Sequence, residues 1–158
     1  MSAINAENYS QYRKQLEELG ANLSRCAQTV TSQVSEIGMK IAKLNTPVGR
    51  YDKNVSFVTT DGKVVNFQTH SKKVGGTLRR GWKKDATHKE GTDWVSSFSN
   101  NTSYAMYVNA GHRIVSDGIT WGYVKGVRMM EQGMNEAQKQ TSRIFENEIT
   151  KVKANTGF

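Results

Sequence analysis

Apolar side chains recur every three or four residues along the first part of the chain, which is the spacing of one helix face. The stripe consists of Tyr9, Tyr12, Leu16, Leu19, Leu23, Ala27, Val30, Val34, Ile37, Ile41 and Leu44. Pro47 ends the segment, because a residue that precedes proline is disfavoured in the helical region. The pattern predicts a long N-terminal helix within residues 1–45, with a bend or break at Gly20 or Gly38.

A second stripe of the same period lies near the end of the chain and predicts a C-terminal helix over residues 127–154. Its members are Val127, Met130, Met134, Ala137, Thr141, Ile144, Phe145, Ile149 and Val152. The N-terminal helix is much longer than the average of about 11 residues. We therefore expect it to pack against another chain as well as against its own sheet.

Two runs rich in β-branched and aromatic residues flank an Asp-Gly pair, which is a strong hairpin signal. They predict a projecting β-hairpin at about residues 54–68, inside an arm that spans 50–75. The candidate arm residues are Val55, Phe57, Asp61, Gly62, Val65 and Phe67. Because an isolated two-stranded hairpin is marginally stable in water, we expect this arm to order on contact with a partner.

The region 76–126 predicts a small antiparallel sheet, a short helix and a loop. Strand-like runs at 77–87 and 93–100 flank a turn in "HKEGT" and place Trp94 and Phe98 on one face. The segment "SYAMYVNAG" predicts the short helix, and the glycine-rich stretch after it predicts a loop with a short strand around 119–123.

Together these elements indicate one α+β domain over residues 1–158. Its small antiparallel sheet is flanked by a long N-terminal helix and a C-terminal helix. Its predicted parts are the N-terminal helix (1–45), the hairpin arm (50–75), the sheet, short helix and loop (76–126) and the C-terminal helix (127–154).

Positive charge is concentrated in the middle of the chain. The net charge is +8, from 22 Lys and Arg against 14 Asp and Glu, and residues 45–92 carry most of the excess. A basic cluster attracts nucleic acid or an acidic protein surface. Cys26 is the single cysteine, and neither a signal peptide nor a membrane span is apparent. We therefore expect assembly in a cytoplasm.

No catalytic, cofactor or metal site is predicted, and the chain is not expected to be an enzyme. Gly76 and Gly81 have phosphate-loop spacing, but Trp82 occupies the position that requires lysine. The three histidines lack the spacing of zinc ligands. A nuclease pair of His112 and Asp117 is a third, minor hypothesis.

The stretch "VGGTLRRGWKK" leaves two interpretations open. Four cations around Trp82 suit a sequence-independent nucleic-acid contact within residues 72–89. Alternatively, Leu78 and Trp82 enter the core. Leu78 and Trp82 share a face if the segment starts with a helical turn. In a flat strand Arg80 would lie on that same apolar face, so we expect the strand to start irregularly. An arginine so placed would reach a carboxylate on a neighbouring subunit.

Four segments in order, "NTPVG", "VGGTLRRGW", "SYAMYVNAGHR" and "GYVKGVRMM", carry a family resemblance. The chain resembles the small neck proteins of long-tailed double-stranded-DNA bacteriophages, known as tail-completion or head–tail joining proteins. It departs from the pattern in two ways. The "TPVG" and "GGTLRR" segments, which are usually close together, are separated by the arm, and Asn109 replaces the usual acidic residue.

The resemblance implies a structural virion protein that forms a homo-oligomeric ring, most often a hexamer, in the phage neck. The ring would join the DNA-filled head to the tail, between a head-closure ring and the tail terminator or tail tube. Genomic double-stranded DNA would pass non-specifically through its lumen. The implied interface or structural candidates are Gly75, Gly76, Leu78, Arg79, Arg80, Trp82, Tyr104, Tyr107, Gly111, His112, Arg113 and Gly126. For Tyr104, Tyr107, Gly111 and His112, core and turn packing is the alternative role.

Overall fold

The structure is a computed structural model that describes residues 4–49, 54–58, 62–68 and 75–156. Its helices are α1 (Ile4–Leu44), α2 (Thr77–Arg80), α3 (Ala105–Ala110) and α4 (Met129–Thr156). Its strands are β1 (Asn54–Val58), β2 (Val64–Gln68), β3 (Trp82–Lys84), β4 (His88–Glu90), β5 (Asp93–Val95), β6 (Phe98–Asn100), β7 (Gly111–Ser116) and β8 (Ile119–Lys125). These elements confirm the predicted α+β class, including both long helices and the first hairpin.

Helix α1 runs without interruption through Gly20 and Gly38, so the predicted break is wrong. It packs antiparallel to α4. The late residue Ala42 shares a core cluster with Met129 at the start of α4, whereas Val30 shares another with Ile144 further along. This long tertiary contact offsets the low helix propensity of glycine.

The two helices are in close contact at Gly38 and Gly133. A Cβ atom built on Gly133 would lie against the carbonyl oxygen of Gly38 and 3.2 Å from the Cβ of Ala42. A Cβ on Gly38 would lie 2.7 Å from Cε1 of Phe98. Gly133 therefore admits the backbone of α1, and Gly38 admits the ring of Phe98.

The buried face of α1 differs from the predicted stripe. Cys26, Val30 and Ala42 are buried, whereas Ala27 and Leu44 of the predicted stripe are exposed. The reason is that α1 packs against strands β3, β5 and β6 as well as against α4. The three strands and α4 together cover a different and broader part of α1 than the single apolar stripe predicts.

The predicted strand pair forms as an antiparallel hairpin in two segments. Strand β3 pairs with β6 and β4 pairs with β5, while the Asp85 amide bridges the interruption by donating to the Ser97 carbonyl oxygen at 2.9 Å. The turn lies at Gly91, whose φ is +61°, so His88, Lys89 and Glu90 of the predicted turn belong to a strand. The hairpin packs on α1.

The first hairpin forms as predicted. Strands β1 and β2 are antiparallel, with Val55 opposite Phe67 and Phe57 opposite Val65. Gly62 has a φ of +77°, as a tight turn requires, and Asp61 lies outside the described residues.

The stretch after α3, predicted as a loop with a short strand around 119–123, is a β-hairpin that we call the second hairpin. The predicted strand is confirmed as part of β8, whereas β7 was not predicted. Strands β7 and β8 pair antiparallel from Gly111 and Lys125 to Ser116 and Ile119. Asp117 and Gly118 form the turn, with φ values of +51° and +77°. Positive φ at both central residues is typical of the tight turns that match the twist of paired strands.

Candidate assembly surface

A buried hydrogen-bonded junction holds the start of β3 against the end of α1. The indole nitrogen of Trp82 donates to Thr46 Oγ1 at 2.7 Å, and this hydroxyl donates to the Ala42 carbonyl oxygen at 2.6 Å. Leu78, in the preceding helical turn, is buried in the same cluster. Leu78 and Trp82 therefore enter the core through the helical start and not through a flat strand.

Arg79 binds the same junction from α2. Its Nε and Nη2 atoms donate to the Thr46 carbonyl oxygen at 3.1 and 2.7 Å, just beyond the last turn of α1. A cation at a helix C-terminus also interacts favourably with the helix dipole. Arg80 is exposed, and its Nη1 donates to the Gly75 carbonyl oxygen at 3.2 Å. Both arginines thus have partners in their own chain.

The basic segment 72–89 does not offer the predicted tryptophan ring for base stacking. Trp82, its one Trp, Tyr or Phe residue, is only 6% exposed and its nitrogen is already bonded. Lys84 Nζ donates to Ser32 Oγ at 2.7 Å, whereas Lys83 is exposed. Residues 72–74 lie outside the described residues. The stacking part of the nucleic-acid hypothesis is therefore wrong.

The two ends of the first arm meet at Gly49 and Gly75. A Cβ atom on Gly75 would lie against the Gly49 carbonyl oxygen and 3.1 Å from Cγ1 of Val48. Gly76 follows with a φ of +91°, a conformation that favours glycine. The "TPVG" and "GGTLRR" segments, separated in the chain, are therefore adjacent in space.

Asn109 ties α3 to the first turn of α4. Its side-chain oxygen accepts a hydrogen bond from the Met130 amide at 2.9 Å, and its Nδ2 donates to both carboxylate oxygens of Glu131 at 2.9 and 3.1 Å. Asn109 therefore caps α4 from outside the helix. An amide accepts from the helix and donates to Glu131 at once, whereas an acidic residue would do only the first.

Gly111 and Gly126 hold the base of the β7–β8 hairpin. A Cβ on Gly111 would lie 2.7 Å from both the Gly126 nitrogen and the Tyr123 hydroxyl oxygen. A Cβ on Gly126 would lie against the backbone of Asn109 and Ala110. This close approach fixes where the hairpin leaves the helical body.

The tyrosines of α3 are exposed and do not form part of the core. Tyr104 lies just before α3 and Tyr107 within it, and both expose large parts of their rings, as does Met106 between them. The Tyr107 ring stands edge-on to the ring of His112 with centroids 6.3 Å apart. Arg113 is exposed and pairs in register with Tyr123. Helix α3 and the hairpin thus form one connected surface.

We call the exposed apolar side chains of this region the hairpin surface. They are Tyr104, Met106, Tyr107, Ile114, Val115, Ile119, Trp121, Tyr123 and Val124, each exposed by 42–73%. An exposed region with this many large apolar side chains is typical of an interaction site.

A β-bulge separates the tip of this hairpin from its base. Ile114 pairs with Gly122 but Val115 pairs with Thr120, which leaves Trp121 as the extra residue on β8. Trp121 is 73% exposed. Bulges re-aim a side chain and are common next to functional sites.

A second apolar feature is a groove of about 480 Å³ between α1, β6 and α4. Its lining includes Val30, Val34, Phe98, Met134 and Ala137. Met134 is exposed at this groove although it belongs to the predicted apolar stripe of the helix. We call this feature the α1–α4 groove.

His88 and Cys26 have raised pKa values, and both lie away from the hairpin surface. Hydrogen bonds to the Ala86 carbonyl oxygen, at 3.1 Å, and then to the Glu90 carboxylate, at 2.9 Å, raise the pKa of the exposed His88. Burial, and then the nearby Glu148 carboxylate, raise the pKa of the Cys26 thiol. Cys26 therefore acts as a small apolar core residue and not as an activated nucleophile.

The described parts of the chain hold no cluster of three or more His, Cys, Asp or Glu side chains suited to a metal ion. The hypothetical nuclease pair is wrong, because His112 is at the base of the second hairpin and Asp117 at its tip. Five residue steps along the strand separate them by roughly 16 Å. Within the same described parts, no helix is long and apolar enough to cross a membrane.

A family model described as "Bacteriophage HK97-gp10, putative tail-component" matches residues 10–111, well over half of the chain. The chain belongs to the HK97 gp10-like family. Membership makes it a structural phage protein of the tail-component class and a component of the virion. No curated protein and no solved structure matches the chain.

The HK97 gp10-like match contains two of the four recognised segments and most of the third, and it ends where the second hairpin begins. The hairpin and α4 lie beyond it, although α4 supplies Met129 and Ile144 to the core. The sequence interpretation missed the hairpin surface. Its signal was present in Asp117-Gly118, the same pair of residue types that predicted the first hairpin.

Proposed function

We propose that the chain is the subunit of a homo-oligomeric ring in the phage neck that joins the DNA-filled head to the tail. The observation that carries this proposal is the hairpin surface on a member of a tail-component family. A protein that worked alone would expose these side chains to water, at a risk of aggregation.

The total exposed area supports an assembled state. The folded chain exposes 12281 Å² of solvent-accessible surface. A compact monomer of 17.7 kDa would expose roughly 8,000 Å². The excess is expected of a subunit whose long α1 and hairpins are covered by neighbours.

A ring requires two different surfaces on each copy, so that each subunit contacts the next in one direction. The hairpin surface and the α1–α4 groove are two such surfaces. From the family resemblance we propose six copies, with a head-closure ring on one side and a tail terminator or tail tube on the other. The basic middle segment, including the exposed Arg80 and Lys83, would face acidic neck partners or the DNA in the lumen.

The proposal is tested by disabling the gene in the phage and examining lysates by electron microscopy. We expect DNA-filled heads and separate tails, with joined virions restored by a plasmid-borne copy of the gene. Normally joined virions without the protein would contradict the proposal. Mass measurement of the complex released from virions gives the number of copies.

A further inference from the structure

We infer that the β7–β8 hairpin of one copy occupies the α1–α4 groove of the next copy, with Trp121 as the anchor. This inference rests on the proposed ring and names the contact that builds it. The occupant is therefore a second copy of this chain.

The hairpin has the properties of an inserted element. Its strands pair with each other and its base contacts α3, while six of its apolar side chains remain exposed. A two-stranded hairpin in water is marginally stable, so it gains from a partner. Trp121 is the most exposed of these side chains, and its bulge removes it from the regular pairing. Interface anchors are typically aromatic residues that fill pockets.

The groove has the properties of a receptor for such an anchor. Its volume of about 480 Å³ is large enough for a tryptophan ring and part of the strand beside it. Valine, phenylalanine and methionine side chains line it, and Met134 is flexible enough to adjust to an incoming ring. None of the lining residues belongs to the hairpin, so both features are available at once within one chain.

A standard interface buries about 800 Å² on each partner, so insertion of the hairpin into the groove would be the centre of a larger contact between the two copies. Because the hairpin and the groove are different patches, the contact is head-to-tail. Such contacts close into rings when the rotation between copies permits.

The decisive experiment replaces Trp121 with the photo-crosslinking residue benzoylphenylalanine, both in the purified chain and in assembled virions. After irradiation, adducts are mapped by mass spectrometry. We expect intermolecular adducts to the peptides that line the groove, around residues 30–35 and 134–141. Adducts to the exposed N-terminal part of α1 in another copy, or to a different virion protein, would overturn the inference.

A second measurement compares variants of the purified chain. Trp121→Ala should raise the dissociation constant of the oligomer roughly 30-fold, as expected of an interface anchor. Met134→Glu, at an exposed groove position, should also weaken assembly. Val64→Ala, an exposed residue on the first hairpin, is the matched control and should change the constant less than threefold.

The outcomes separate this inference from the ring itself. An oligomer whose adducts lie outside the groove, or which withstands Trp121→Ala, overturns the hairpin contact and leaves the ring. A chain that is monomeric both in solution and on the particle overturns both.

Discussion

Trp82 and Thr46 are joined side chain to side chain across 36 positions of the chain, by a hydrogen bond of 2.7 Å from the indole nitrogen to the hydroxyl. The arm that separates them in the sequence leaves and returns beside this bond, because Gly49 and Gly75 are in backbone contact. The junction therefore holds the two ends of the first arm against the helical body.

Thr46→Val should lower the free energy of unfolding by about 1–3 kcal/mol. The substitution preserves shape but leaves a buried indole N–H without an acceptor. Urea denaturation of Thr46→Val, Trp82→Phe and the double variant forms a double-mutant cycle, in which the two single effects should sum to more than the effect of the double variant. Strict additivity would mean that the hydrogen bond contributes nothing.

Two glycines of α1 should respond oppositely to alanine. At Gly20 nothing lies within 4 Å of a new Cβ, so Gly20→Ala should raise the free energy of unfolding by up to roughly 1 kcal/mol. At Gly38 the new Cβ would meet the Phe98 ring, so Gly38→Ala should lower it by about 1–3 kcal/mol. Thermal denaturation of both variants decides the matter, and a gain at both positions would be inconsistent with the close helix packing.

The first arm and the β7–β8 hairpin should each be removable without unfolding the rest of the chain. Deleting residues 50–74 joins Gly49 to Gly75, and deleting 112–125 joins Gly111 to Gly126, each pair being already in contact. Circular dichroism should show a cooperative thermal transition in both variants. Only the second deletion should abolish self-association in sedimentation experiments. Loss of cooperative unfolding in either variant would show that the arms are part of the core.

The pKa of His88 should be higher than the ordinary histidine value of about 6.5, because the protonated ring donates to the Ala86 carbonyl oxygen and pairs with Glu90. Since the pKa is raised in the folded state, its stabilising effect on the β4–β5 turn is complete below about pH 6.5. It is lost as the pH rises through the folded value. Proton NMR of the ring measures this, and Glu90→Gln should lower the pKa. A titration unchanged by Glu90→Gln would rule out the side-chain contribution.

Local patterns predicted the existence of the elements better than their contacts. Both long helices follow from the spacing of apolar residues, and Asp61-Gly62 predicted the first hairpin. The second hairpin carries the equivalent Asp117-Gly118, but four glycines between 111 and 126 obscure its alternation. The bulge at Trp121 interrupts it further.

The contacts depend on which element packs where, and periodicity does not contain that information. Gly20 and Gly38 are equivalent in the sequence of α1, yet only Gly38 faces Phe98 and Gly133. The hydrogen bond of the buried Trp82 goes to a hydroxyl far away in the chain, so the local sequence left a nucleic-acid contact open as an alternative.

The packing of Gly38 against Gly133 has a mechanical consequence. Where backbone touches backbone, there is no side chain between the helices whose rotation would let them slide or splay. The α1–α4 pair is therefore rigid, and conformational change is confined to the hairpins, which join the body at glycines. Copies that contact each other at different angles would keep the same helix pair and differ only in the orientation of their hairpins.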